Sequence, residues 1–177
     1  MFPPGGSDTE FQQIQLELDK QTDRGAALLA GAVLEWRVRQ TLRSRIKVWD
    51  SEAEKIFGTD DRAGELGFTA QARMAYCLGL VGEIGLRDIE AIAKIRNRFA
   101  HQFSVRSFSE QRVRDICGSL KSPELNHERF RLNATIPSKN PRDRFIQTTY
   151  LIGTMMWAQS VAPTVKWPRI GPNDIFW

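Results

Sequence analysis

Between residues 86 and 103 apolar side chains recur at three- and four-residue steps, with Ile89, Ile92, Phe99 and Phe103 marking one face of a helix. No stretch of the 177 residues shows the period-two alternation of a half-buried strand, and no segment repeats. A chain whose only strong periodicity is helical must bury its apolar stripes helix against helix. The expected fold is therefore all-α, a single-domain helical bundle of six to seven helices.

The pattern divides the chain as follows. Residues 1–9 hold two prolines and two glycines and read as a flexible tail. Residues 10–160 form the helical domain. Residues 161–177 form a tail, rich in proline and tryptophan, that is apolar enough to pack on the bundle or a partner. Within the domain, Ile14 and Leu18 mark a short helix to Lys20. Thr22 or Asp23 caps a long helix reaching about Trp49, with Leu34, Val38 and Leu42 on its apolar stripe. Ser51 and Glu54 have the spacing of a capping box, as do Ser107 and Glu110. Thr69 caps a helix through Leu80 with Ala70, Met74, Cys77, Leu78 and Val81 inward. Residues 121–140 read as mostly loop, with room for a turn of helix near Glu128. Asn140-Pro141 places an N-cap before a proline at the first helical position, opening a last helix to about Ser160.

The bulk numbers exclude several classes. Hydrophobic content of 41% and charged content of 26% are those of an ordinary globular chain. The apolar run from Leu151 to Trp157 falls well short of the roughly 20 residues of a membrane span. With no leader-like segment, the expectation is a cytoplasmic protein whose Cys77 and Cys117 are free thiols packed inward. Formal net charge is +4, which permits an acidic partner without demanding one. Two histidines, no Cys-x-x-Cys and no His-Glu-x-x-His leave no ligand set for a metal. Nor is there a P-loop or a Gly-x-Gly-x-x-Gly turn for a nucleotide cofactor.

Two groups of residues remain as candidates. Arg39, Arg43 and Lys47 recur four apart opposite the apolar stripe of the long helix, where they either track phosphates or form a solvated face. Arg37 falls within the apolar stripe, as a buried ion pair or a subunit contact requires. The second group is Arg96, Asn97 and His101. Arg96 sits on the apolar stripe between Ile92 and Phe99, where a charge needs a partner, and Glu83 or Asp115 can supply it. Asn97 and His101, four apart, share another face. Lys94 and Arg98 pair with Glu90, which removes them from any groove-reading role. A histidine as acid/base with an arginine as phosphate clamp is the chemistry of metal-independent RNA cleavage. Arg96 and His101, however, are five apart and so about 140° apart on an ideal helix. A shared site then requires the helix to end before His101, or a second subunit.

Arg96-Asn97-x-x-x-His101 resembles the short Arg/His signature of the HEPN superfamily, helical bundles that are commonly dimeric and include RNases. A longer resemblance covers about residues 22–120. Its landmarks are Thr22-Asp23-Arg24-Gly25-Ala26-Ala27, then Leu78-Gly79-Leu80-Val81-Gly82 leading into Ile92-x-x-Ile95-Arg96-Asn97-x-Phe99-Ala100-His101. Ser107-Phe108 with Val113-Arg114-Asp115-Ile116-Cys117-x-x-Leu120 completes them. In order and spacing these resemble the mannitol repressor family of bacterial regulators. The resemblance implies a HEPN-like core, a homodimer and a repressor-type transcription regulator with no recognisable helix-turn-helix. Its expected partner is DNA or another transcription regulator, with no cofactor, no metal and no membrane. Two alternatives stand beside it: a metal-independent endoribonuclease or toxin acting on RNA through Arg96, Asn97 and His101, and a protein-interaction module using the tail.

Overall fold

The computed structural model describes residues 14, 16–59, 62–129 and 136–161. Among these the chain is helical with no strand beyond a single bridge between Gly58 and Ala63. After a helical turn at residues 16–20 come α1 (Asp23–Arg43), α2 (Ser51–Phe57), α3 (Phe68–Cys77) and α4 (Glu83–His101). Then follow α5 (Gln111–Ser119), α6 (Ser122–Arg129) and α7 (Pro141–Val161). The all-α bundle expected from the periodicity is what forms. Its spine is α1, packed along α7 on one side and on α4 and α3 on the other. Phe99, Phe108 and Phe145 meet in the core as tilted pairs with centroids 5.0 and 5.1 Å apart, joining α4, the following loop and α7. The expected tail at 1–9, and all but Val161 of the tail at 161–177, lie outside the described residues.

Local chemistry explains most boundaries. Thr22 caps α1, its hydroxyl accepting from Gly25 N at 3.2 Å. At α7 the Asn140 side chain accepts from Arg142 N at 2.9 Å and Asp143 N at 3.2 Å, while Pro141 takes the first helical position. The α3 C-terminus closes with Gly79 at φ 69°, Leu80 N donating to Ala75 O and Gly79 N to Tyr76 O, the left-handed termination that glycine favours.

Several expectations are corrected. The long helix stops at Arg43 rather than near Trp49, because Ser44, Arg45 and Ile46 turn back onto the carbonyls of Gln40 and Leu42. That turn stacks Trp49 on Phe57, with centroids 5.1 Å apart. Asp50, not Ser51, caps α2, accepting from Glu52 N and Ala53 N. α3 begins after Gly67 and buries Phe68, Gln71, Ala72 and Ala75, a face rotated from the expected one. Cys77 and Leu78 are consequently exposed, whereas Cys117 is buried. Burial pushes the Cys117 thiol up to about 12, so it is an unreactive core group. Ser107 and Glu110 make no capping box, since α5 starts at Gln111 with no side-chain cap. The turn of helix near Glu128 is longer than expected, a helix over residues 122–129, and His127 on it is half-buried.

The reason for α6 lies far away in sequence. Its first amides, with that of Lys121, are received by the buried carboxylate of Asp88 on α4: Lys121 N at 3.0 Å and Ser122 N at 2.6 Å. Burial raises the Asp88 pKa above its ordinary value, against the opposing pull of those donors and of nearby Arg144. Arg144 is itself buried and donates to Cys117 O and Leu120 O while pairing with Glu124 of α6. One acid and one arginine thus tie α4, α5, α6 and α7 together.

Candidate functional site

α1 and α4 cross where Gly31 presents only hydrogen to its neighbour. A Cβ at Gly31 would stand 3.0 Å from Cγ and Cδ of Arg96, so the missing side chain makes room for the arginine stem. One turn further along α1, Glu35 receives the Arg96 guanidinium at 3.1 Å. This is the partner that a charge on an apolar stripe requires, and it is neither Glu83 nor Asp115. The pair is mostly shielded, with side-chain exposures of 31% and 25%.

His101 is the last residue of α4, and the helix does not break before it. The angular separation of about 140° from Arg96 therefore stands. Arg96 faces α1, while Asn97 and His101 are exposed on their shared face. Within one protomer the arginine and the histidine do not converge. Glu90 also departs from expectation: it pairs with Arg73 of α3 at 2.7 Å and not with Lys94 or Arg98. Among the described residues neither Lys94 nor Arg98 has a carboxylate partner, and the buried Nε of Arg98 has no hydrogen-bond acceptor. Lys94, Asn97, Arg98 and His101 thus form a stripe at three- and four-residue steps that leads to the helix end.

The segment beyond is held by a residue that periodicity does not single out. Arg24 on α1 donates to Phe99 O, to Val105 O at 2.9 Å and to Gln102 O at 3.3 Å, with Phe103 O at 3.5 Å. The carbonyls of Phe99 and of the C-cap Gln102 are terminal carbonyls of α4, which need external donors or water, whereas those of Phe103 and Val105 belong to the loop beyond it. Next to Arg24, Asp23 accepts from Phe108 N at 2.9 Å and pairs with Arg142 of α7 at 2.6 Å. Partial burial alone would raise the Asp23 pKa, but the donors Phe108 N, Arg142 and Ser107 together hold it below its ordinary value.

Clamped in this way, the loop projects Gln102, Phe103, Ser104 and Arg106 into solvent. Phe103, expected on the buried stripe, is instead 84% exposed, because the helix ends two residues before it. The Arg24 guanidinium lies 5.9 Å from its ring centroid. A signal for this site exists in the sequence: residues 91–109 contain no Asp or Glu, yet hold Lys94, Arg96, Arg98 and Arg106, as many positive charges as the formal net +4 of the chain.

The other basic group does not assemble as a helical stripe. Lys47 lies beyond the end of α1, and Arg43, though exposed, turns toward Trp49 with its guanidinium 5.5 Å from the ring. Arg39 is partly buried. Arg37 is buried, with its guanidinium 4.6 Å from the Trp36 ring centroid. Among the described residues no three His, Cys, Asp or Glu side chains gather as a metal would require. No helix among them is long and apolar enough to cross a membrane. No family model, curated protein or solved structure matches this chain.

Proposed function

We propose that this protein is a non-catalytic regulator of the repressor type, as its resemblance to the mannitol repressor family implies, contacting nucleic acid through the basic end of α4. In this reading it is a cytoplasmic homodimer without a helix-turn-helix, working on DNA directly or with another transcription regulator. The observation that carries the reading is the commitment of Arg96 to Glu35 and Gly31. It removes the phosphate clamp from His101 and leaves Lys94, Arg98 and Arg106 as the cations of a segment that contains no Asp or Glu.

Binding of labelled DNA and RNA, followed by fluorescence anisotropy across a salt series, tests it. Three phosphate contacts give a log–log slope of about −2.7 on duplex DNA, or roughly a 40-fold loss of affinity between 50 and 200 mM salt. Charge reversal at Lys94 and Arg98 leaves only the Arg106 contact and reduces the slope to about −0.9 or less. Absence of binding to any nucleic acid at low salt contradicts the reading.

One observation favours the endoribonuclease as a second reading. Asn97 and His101 are exposed on one face, so a second copy of the chain, or a ligand, has access to both. Such a site takes its cation from the other copy rather than from Arg96 of the same chain.

A further inference from the structure

Among the described residues Phe103 is the most exposed of the large apolar side chains. Phe103 is 84% exposed, and its loop is not free to fold the ring away. Arg24 holds the carbonyls on both sides of it, at Gln102 and Val105. The ring is thus presented on a fixed backbone, within a segment, residues 91–109, that holds Lys94, Arg98 and Arg106 and contains no Asp or Glu.

We infer that Phe103 is a stacking platform for an unpaired base, with Lys94, Arg98 and Arg106 meeting the phosphates of the same single strand. The inference deepens the nucleic-acid reading above and rests on it. Every base offers a flat π-face to an aromatic ring, and the neighbouring phosphates need cations within a few ångströms of it. Lys94 and Arg98 are one helical turn apart, about 6 Å along the axis, so the stripe meets an extended backbone at successive points. Asn97 on the last turns of α4 and Gln102 and Ser104 on either side of Phe103, all exposed, supply hydrogen bonds to base edges and sugar.

Charge argues against the competing occupant, a second copy of the chain. A two-fold contact through this face would set Lys94, Arg98 and Arg106 toward their own copies, and the segment that carries them supplies no carboxylate to offset the repulsion. Duplex DNA satisfies the cations but leaves the ring idle, because its bases are already stacked. Arg24 is the positioning residue here: it keeps the ring outward and does not need to touch the strand.

The test uses one oligonucleotide sequence as single strand and as duplex, in DNA and RNA form, each strand carrying 2-aminopurine. Wild-type protein, Phe103→Ala and Phe103→Tyr are titrated, with sedimentation of each variant alongside. The expected result is tighter binding of the single strand with quenching of the probe. Phe103→Ala weakens that binding by about 10- to 100-fold while duplex affinity changes less than about 2-fold. Phe103→Tyr retains both binding and quenching. A preference for the DNA or the RNA strand satisfies the inference and reports which sugar is recognised. Equal binding of single strand and duplex, unchanged in Phe103→Ala, overturns the inference while the nucleic-acid reading survives. Conversion of a dimer to monomers by Phe103→Ala, with nucleic-acid affinity unchanged, overturns it in favour of self-association. No binding of wild type to any strand overturns both.

Discussion

The Arg96 guanidinium meets the Glu35 carboxylate at 3.1 Å across the α1–α4 crossing, and the same arginine's stem lies against Gly31. One side chain therefore makes two separable contributions, a shielded ion pair and a packed aliphatic stem. Replacing Arg96 with Met keeps the stem and removes the charge. The expected cost is about 1 kcal/mol, that of a partly shielded pair. Arg96→Ala removes the stem as well and costs about 1–2 kcal/mol more. Urea denaturation of the two variants separates the terms, and equal losses would show that the stem contributes nothing.

Gly31 is needed for space rather than for backbone freedom. In Gly31→Ala a steric cost at the 3.0 Å approach to Arg96 is offset by a gain in helix propensity of about 1 kcal/mol, so stability changes little. Gly31→Leu has no such balance and destabilises by about 1–3 kcal/mol through overpacking. Thermal melts of both variants check this.

Asp23 makes the fold acid-sensitive. Its pKa lies below the ordinary 3.8, so the stability it contributes is complete above that value and is lost as pH falls through the folded-state pKa. Asp23→Ala strands the Phe108 amide and leaves Arg142 with only its carbonyl acceptors at Leu18 and Gln21, at a cost of about 1–3 kcal/mol at neutral pH. The difference from wild type shrinks as pH falls below the ordinary carboxylate value and through the lowered folded-state one. A pH series of denaturation midpoints gives the result, and a constant difference at all pH values would contradict it.

Asp88 works in the opposite sense. Its pKa is raised by burial, so its contribution grows as pH falls through that raised value. The larger effect is structural: Asp88→Ala leaves the amides of Lys121 and Ser122 without their acceptor, costing about 1–3 kcal/mol. Hydrogen exchange should quicken across 122–129 before it quickens in α1, and uniform protection across both would contradict the role assigned to this carboxylate.

Elements whose ends are determined by neighbours in sequence were legible from it. Thr22, Asn140 and Pro141 act on amides within three residues, and the helices they open are where the pattern places them. Of α6 only a turn near Glu128 was legible, since the amides of Lys121 and Ser122 that open it are received by Asp88 more than thirty residues upstream. The early stop of α1 was also hidden, because the apolar period continues to Trp49 while Trp49 itself turns back to stack on Phe57. At the site, periodicity identified Arg96 as needing a partner and Asn97 and His101 as sharing a face. It did not identify Glu35, 61 positions earlier, nor the role of Arg24 at the α4 terminus. Phe103 was misread for a related reason: its spacing continues the stripe past the point where the helix has ended.

The most direct test of the central claim is incubation of purified protein with a mixed RNA pool in chelator, beside a folded His101→Ala variant. With Arg96 held by Glu35 and His101 on the solvent side, the account predicts intact RNA with both proteins, together with salt-dependent binding. Cleavage by wild type that disappears in His101→Ala would contradict it and make this protein an endoribonuclease.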